Sequence, residues 1–97
     1  MHTTVRRYTM GAGTAADLAK KVEEGFVPLI KDIDGFNGYY VIDGGNNVVV
    51  SISVFEEEAQ AEESNEVAAG WVPDALAEFE PTAPEVTQGE VLVSVSS

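Results

Sequence analysis

The segment Val48–Phe55, VVVSISVF, constrains the fold of this chain more than any other part of the sequence. Strand side chains alternate between two faces, so this segment has one apolar face and one mixed face. The mixed face holds two serines between Val49 and Phe55, and neither face carries a charge. A strand with one face in water normally alternates apolar and polar residues. We therefore expect both faces of the sheet that contains this strand to be covered.

Upstream, residues 3–10 (TTVRRYTM) are rich in β-branched and aromatic residues and predict a first strand, which the GAG at 11–13 ends. Thr14 can cap a helix. From Ala15 the apolar residues recur every three or four positions, which predicts an amphipathic helix of about four turns. Gly25 lies on its buried stripe and should allow a close approach to the sheet, and Pro28 should tighten or end the helix. The stripe consists of Leu18, Val22, Phe26 and Leu29.

Downstream, residues 32–38 read as a loop and 39–42 (YYVI) as a short strand. The five residues 43–47 (DGGNN) predict a hairpin turn, because Asp, Asn and Gly tolerate positive φ. A second helix should run from about residue 57 to 72, with Asn65 on its outer side. Pro73 should restart the chain before a short helical turn. Residues 85–96 should form a long last strand, with Val91, Val93 and Val95 on one face.

The predicted order of elements is βαββαβ, which indicates an α+β, ferredoxin-like fold. This plan is a four-stranded antiparallel sheet with two helices on one face, in a single domain over residues 1–97. Since the helices cover only one face, apolar residues on the other face predict a partner, most simply a two-fold homodimer. The long last strand could cross to that neighbour.

Charge and composition exclude several functions. The chain has 17 acidic and 5 basic residues and a net charge of −12, so nucleic acids and anionic membranes are not expected partners. Cysteine is absent, which removes disulfides, thiolate metal sites and cysteine nucleophiles. The first ten residues lack the apolar core of a signal peptide, and no apolar run reaches membrane-spanning length. We expect a soluble cytoplasmic protein.

Residues that could carry chemistry are few. His2 is the only histidine and lies at an end that is expected to fray, so no Ser-His-Asp type arrangement is predicted. The acidic run at 56–66 lacks the spacing of a calcium loop and reads as a solvated helix face, so no metal and no cofactor are expected. Arg6 and Arg7 stand side by side. Either one forms an ion pair while the other is exposed, or one faces a cavity and orients an anionic or carbonyl oxygen.

Aromatic residues give a second set of candidates. Trp71, Tyr39 and Tyr40 can belong to a packed core or to the wall of a pocket. The second helix turns Gln60 and Ser64 toward the same side as Trp71. A few polar groups among apolar walls are typical of a small-molecule cleft, so both interpretations stay open.

Taken together, these passages resemble the antibiotic-biosynthesis-monooxygenase-like family of dimeric α+β barrels. The resemblance rests on VRRYTM, PLIKDIDGFNGYYVID, VVVSISVFEEEAQAEES and Trp71 late in the second helix, and covers nearly the whole chain. Asp34 stands where the family often has proline. The resemblance implies a homodimer whose sheets close into a barrel, with a cleft between each sheet and its helices. Some members oxygenate aromatic polyketides without metal or flavin, and others degrade haem with an Asn, a Trp and a His.

Two hypotheses follow. The first is a cofactor-independent monooxygenase-like enzyme for a small aromatic or polyketide-like molecule. Trp71, Tyr39, Tyr40 and Arg6 or Arg7 would bind and orient that substrate. The second is a non-catalytic dimeric module that binds a small ligand or serves as an accessory protein. Haem breakdown is not expected, because the first strand has no Asn and the second helix has no His.

Overall fold

The computed structural model describes residues 1–96 and has the predicted order of elements. The strands are β1 (His2–Thr9), β2 (Phe36–Gly45), β3 (Val48–Phe55) and β4 (Glu85–Glu90). The helices are α1 (Ala15–Lys21), a π-helical turn (Val22–Phe26), α2 (Val27–Lys31), α3 (Glu58–Ala75) and a 3-10 turn (Ala77–Phe79). Within residues 1–96, no helix is long and apolar enough to cross a membrane.

All four strands join one sheet in the order β2-β3-β1-β4, and every neighbouring pair is antiparallel. β3 and β1 lie in the middle, where Val5 pairs with Ile52 and Arg6 with Ser51. Directly paired residues share a face, so these registers assign each side chain to one side of the sheet. The helices cover one of the two sides. The α+β, ferredoxin-like fold predicted from the sequence is confirmed.

The first helical segment, residues 15–31, contains an irregularity that the sequence did not reveal. Thr14 caps it as predicted, since its Oγ1 accepts a hydrogen bond from the Asp17 backbone N–H. The π turn then widens the helix, which spaces the buried residues four apart. The prediction that Leu29 is buried was therefore wrong: Ile30 is fully buried and Leu29 is 45% exposed. Pro28 lies in the first turn of α2, where a missing N–H is tolerated, and does not end the helix.

The hairpin between β2 and β3 is confirmed and is tighter than predicted. Its turn is Asn46 and Asn47, which have φ of 50° and 65°, the left-handed geometry that such two-residue turns require. β2 begins at Phe36, which pairs with Phe55, so part of the predicted loop is strand. β2 has ten residues against the eight of β3, because Asn37 and Gly44 are extra residues at two register shifts.

Two boundaries in the C-terminal half also differ from prediction. α3 continues through Pro73 to Ala75 and does not stop near residue 72. β4 ends at Glu90, so residues 91–96 lie outside the sheet and the predicted strand over 85–96 is too long. The reason is the register: Glu90 pairs with His2, and only Met1 remains to accept one further hydrogen bond, from the Val91 backbone N–H.

The core lies between the helices and the mixed face of β3. Val49, Ser51, Ser53 and Phe55 are all buried there. The fully apolar face, with Val50 and its neighbours, points away from the helices and is only half-buried. We call the helix-covered side the inner face and the other side the outer face. The expectation that both faces are covered concerns an assembly, and one chain covers only the inner face.

Candidate functional site

A cleft opens between the inner face of the sheet and α3, at the end where the chain returns to β4. It consists of a small inner cavity of about 30 Å³ and a wider outer cleft of about 640 Å³. The same side chains line both: Arg6, Tyr8, Ala68, Val72 and Pro81. The inner cavity has room for about one water molecule or one ligand oxygen. A ring-sized ligand fits only the outer cleft.

Arg6 stands at the junction of the two spaces and is 2% exposed. Its guanidinium donates to Asn65 Oδ1 at 2.6 Å and to Ser53 Oγ at 3.2 Å. The guanidinium carbon also lies 5.6 Å from the centre of the Phe26 ring, within cation–π range. Among residues 1–96 no carboxylate lies within salt-bridge distance of Arg6. A buried positive charge is thus held by neutral groups.

Asn65 fixes the orientation of this arginine from α3. Its Oδ1 also accepts a hydrogen bond from Thr4 Oγ1 at 3.0 Å, and its Nδ2 donates to Gln88 Oε1 at 2.7 Å. One side chain therefore links β1, α3 and the edge strand β4. Contrary to the sequence prediction, Asn65 is half-buried and faces the site, because α3 lies across the sheet with this side toward β1.

Two tyrosines and a serine complete the polar part of the inner cavity. Burial raises the pKa of the Tyr39 phenol above its ordinary value, and Arg6 and Ser51 oppose the rise. Burial likewise raises the pKa of Tyr8 against the opposing charge of Arg6. Both phenols are therefore neutral near pH 7 and can donate hydrogen bonds. Although Ser51 lies close enough to influence Tyr39, its buried hydroxyl has no well-formed hydrogen bond to any described residue.

Aromatic rings form the far wall of the cavity. Trp71 packs on Phe26 with ring centres 5.5 Å apart, and Phe26 packs on Tyr39 at 5.7 Å. Gly25 makes room for the indole, because a β-carbon there would lie 2.7 Å from Trp71 Cζ2. The sequence predicted that Gly25 allows a close approach to the sheet. That prediction was wrong, because Gly25 faces the tryptophan of α3.

The structure brings three of the candidates from the sequence together: Arg6, Tyr39 and Trp71 all line the inner cavity. Arg7 and Tyr40 lie on the outer face. Arg7 pairs with Glu85 at 3.3 Å, and Tyr40 is 61% exposed.

The remaining two candidates, on α3, lie away from the cleft. Ser64 is fully buried and donates to the Ala61 carbonyl oxygen at 2.6 Å. Gln60 belongs to the capping box of α3, where its Oε1 accepts from the Glu57 backbone N–H. Both side chains form hydrogen bonds with backbone groups of α3 or its N-cap, and neither lines the inner cavity or the outer cleft.

Sequence reasoning did not single out Tyr8, Ser51 or Asn65. Strand parity carries a signal for the first two. Tyr8 shares a strand face with Arg6, and Ser51 pairs directly with Arg6 in the β1–β3 register. For Asn65 no such signal existed, because a polar residue on a helix is ordinarily solvated.

The sequence matches no protein-family model and no curated protein. Solved structures nevertheless share its architecture over almost the whole chain. NE2512, a protein of unknown function from Nitrosomonas europaea, has a TM-score of 0.76 at 18% identity, over 99% of this chain and 93% of that chain.

Two more neighbours carry names that refer to oxygenation. A proposed antibiotic biosynthesis monooxygenase from Deinococcus radiodurans has a TM-score of 0.74 at 15% identity, over 100% of this chain and 98% of that chain. SnoaB, a cofactor-independent oxygenase from Streptomyces nogalater, has a TM-score of 0.71 at 17% identity, over 99% and 97%. At these identities the likeness establishes the fold alone. The resemblance to the antibiotic-biosynthesis-monooxygenase fold is confirmed.

Proposed function

We propose that the protein binds a small aromatic or polyketide-like molecule in the cleft and oxygenates it without a cofactor. The observation that carries the proposal is the cleft itself, whose apolar and aromatic walls lead to one buried arginine. Sites for small molecules commonly combine apolar walls with a few polar groups that fix orientation. The fold shared with SnoaB, a cofactor-independent oxygenase, supports the chemistry.

In this proposal the walls bind the rings and the polar groups orient them. The rings lie in the outer cleft, and Arg6 receives an oxygen of the substrate at the inner cavity, which Trp71 and Tyr39 also line. The electrons come from the substrate: a ring methylene and one O₂ give a ring carbonyl and one water. Arg6 stabilises negative charge that develops on the substrate oxygen as the ring is deprotonated.

The alternative function is a non-catalytic module that binds a similar ligand in the same cleft. The specific observation in its favour is the scarcity of bases. Glu80, at the rim, is the one carboxylate among the described residues that line the cavity and cleft. A binding module needs no general base, whereas an oxygenase must lose a proton from its substrate to solvent or to a residue within reach.

Oxygen uptake separates these two functions. With an electron-rich tricyclic phenol that carries a ring methylene, the enzyme should consume one O₂ per ketone formed and place one ¹⁸O atom from ¹⁸O₂ in the product. Trp71→Phe should lower the rate at least about tenfold, because Trp71 lines the inner cavity that receives the substrate oxygen, and a mispositioned substrate loses much of its reactivity. Tyr40→Phe, on the outer face, is the control. Tight binding with no uptake above the protein-free rate would favour the non-catalytic module.

The proposal includes a homodimer. The outer face bears Val48, Val50, Ile52 and Val54, with Ile42 44% and Tyr40 61% exposed at its side. Beyond β4, Leu92, Val93 and Val95 are at least 81% exposed. Contiguous apolar surface of this kind marks an interaction site, and a second copy would bury both regions. Light scattering should give twice the mass of the chain, and the monomer mass at micromolar concentration would refute the dimer.

The cytoplasmic location stays a prediction.

A further inference from the structure

We propose that the ligand of this cleft carries an oxygen anion, a carboxylate or an ionised phenol, which binds to Arg6 at the inner cavity. The inference rests on the proposed binding of a small aromatic molecule and adds a charge requirement to it. It does not depend on whether the ligand is oxygenated.

Arg6 carries a charge that no described carboxylate balances. Removing a guanidinium from water is costly unless an opposite charge compensates it. Arg6 is 2% exposed, yet its named partners, Asn65 and Ser53, are neutral. By contrast, Arg7 is half-exposed and pairs with Glu85. The chain has 17 acidic residues, but within residues 1–96 none is in salt-bridge contact with Arg6. The missing counter-ion is therefore assigned to the ligand.

Three hydroxyl groups line the inner cavity together with Arg6. Tyr8 and Tyr39 are neutral phenols, and the buried hydroxyl of Ser51 lacks a hydrogen-bond partner in the described chain. Each can donate to an oxygen anion, and donors from several directions strengthen such binding. A buried hydroxyl with no partner is rare in native proteins and calls for an explanation. An anionic oxygen in the inner cavity would supply that partner.

The inner cavity and the outer cleft differ in the size of the group that each can hold. The inner cavity of about 30 Å³ admits one oxygen-sized group but no ring. The outer cleft of about 640 Å³ admits a fused ring system, and Arg6 lines both. A ligand therefore fits with its anionic oxygen inward and its rings under α3. Glu80 lines the outer cleft and not the inner cavity that would hold the anionic oxygen.

The test compares two probes of nearly equal shape, 2-naphthoate and neutral 2-naphthamide, by titration calorimetry at pH 7.5. The intact chain should bind the anion at least tenfold more tightly. Arg6→Met keeps the volume of the side chain and removes its charge, and should abolish the preference. Arg7→Met removes the same charge from the adjacent residue on the outer face, and should leave the preference unchanged. An acidic nitronaphthol, ionised at this pH, tells whether a phenolate serves as well as a carboxylate.

Thermal unfolding guards against a misfolded variant. Since Arg6 lacks a counter-ion, Arg6→Met should melt at the same temperature as the intact chain or higher. Equal affinity for the two probes, or a preference that survives in Arg6→Met, would overturn the inference. If the protein prefers the anion but consumes no oxygen, only the proposed oxygenase function is contradicted. If it consumes oxygen with neutral substrates only, the proposed anionic ligand is contradicted.

Discussion

The two faces of the sheet differ in polarity. Several polar residues lie on the helix-covered inner face, and apolar residues lie on the uncovered outer face. The inner face, under the helices, buries Thr4, Arg6, Ser51 and Ser53. The outer face, with no helix on it, carries Val48, Val50, Ile52 and Val54 of β3. Polar residues are normally exposed and apolar ones buried. The buried polar residues of the inner face support the proposed ligand site, and the apolar outer face supports the proposed partner.

Adjacent residues show the contrast most directly. Arg6 is buried beside the cavity, whereas Arg7 forms an ion pair in solvent. Tyr39 packs on Phe26, whereas Tyr40 is 61% exposed. Within each pair the side chains are chemically identical, so strand alternation alone separates a site residue from a surface residue. These pairs are natural controls for each other.

The largest expected effect is on the outer face. Ile52→Asp places a carboxylate in the middle of the apolar surface, where burial against a second copy would leave it unpaired at a cost of several kcal/mol. We expect the dimer to weaken at least about a hundredfold and light scattering to give the monomer mass. Ala16→Asp adds the same charge to the exposed side of α1 and should leave the mass unchanged. A dimer that survives Ile52→Asp would place the interface elsewhere.

The next effect concerns the aromatic wall of the inner face. In Gly25→Ala the new methyl group would lie 2.7 Å from Trp71 Cζ2, so the indole must move. We expect the free energy of unfolding in urea to fall by about 1–3 kcal/mol, the usual cost of overpacking, and the fluorescence of Trp71 to shift. Gly70→Ala, in α3, meets open space and should stabilise by about 0.5–1 kcal/mol. If both variants are stabilised, Trp71 is not packed against Gly25.

The smallest effect is a dependence on pH. Burial raises the pKa of Tyr39 in the folded protein, so the unfolded chain loses this proton first as pH rises above about 10. The free energy of unfolding should therefore fall above that pH. The free energy of unfolding should fall less steeply in Tyr39→Phe. Part of the fall should remain, because the pKa of Tyr8 is also raised. Tyr40→Phe, on the exposed neighbour, should follow the intact chain. Indistinguishable slopes in all three proteins would show that Tyr39 is solvated.

Local pattern predicted much of this molecule. The period of two in VVVSISVF, the capping Thr14 and the run of turn residues before Val48 gave the order of elements. Each depends on neighbours within a few positions, and such signals are legible in a single sequence. Of the seven site candidates, the cleft contains Arg6, Tyr39 and Trp71. The parity of a strand separates residues into two faces but does not say which face the helices will cover.

Long-range packing decided the rest. The sequence by itself determined that the chain forms a ferredoxin-like sheet with one apolar and one mixed strand face, because alternation is a property of the backbone. Only the tertiary structure decided that the mixed face lies inward, that Asn65 reaches Arg6 across 59 positions, and that Gly25 makes room for Trp71. Those contacts join residues far apart in the chain. Their geometry depends on how α3 lies on the sheet, and no local pattern encodes that placement.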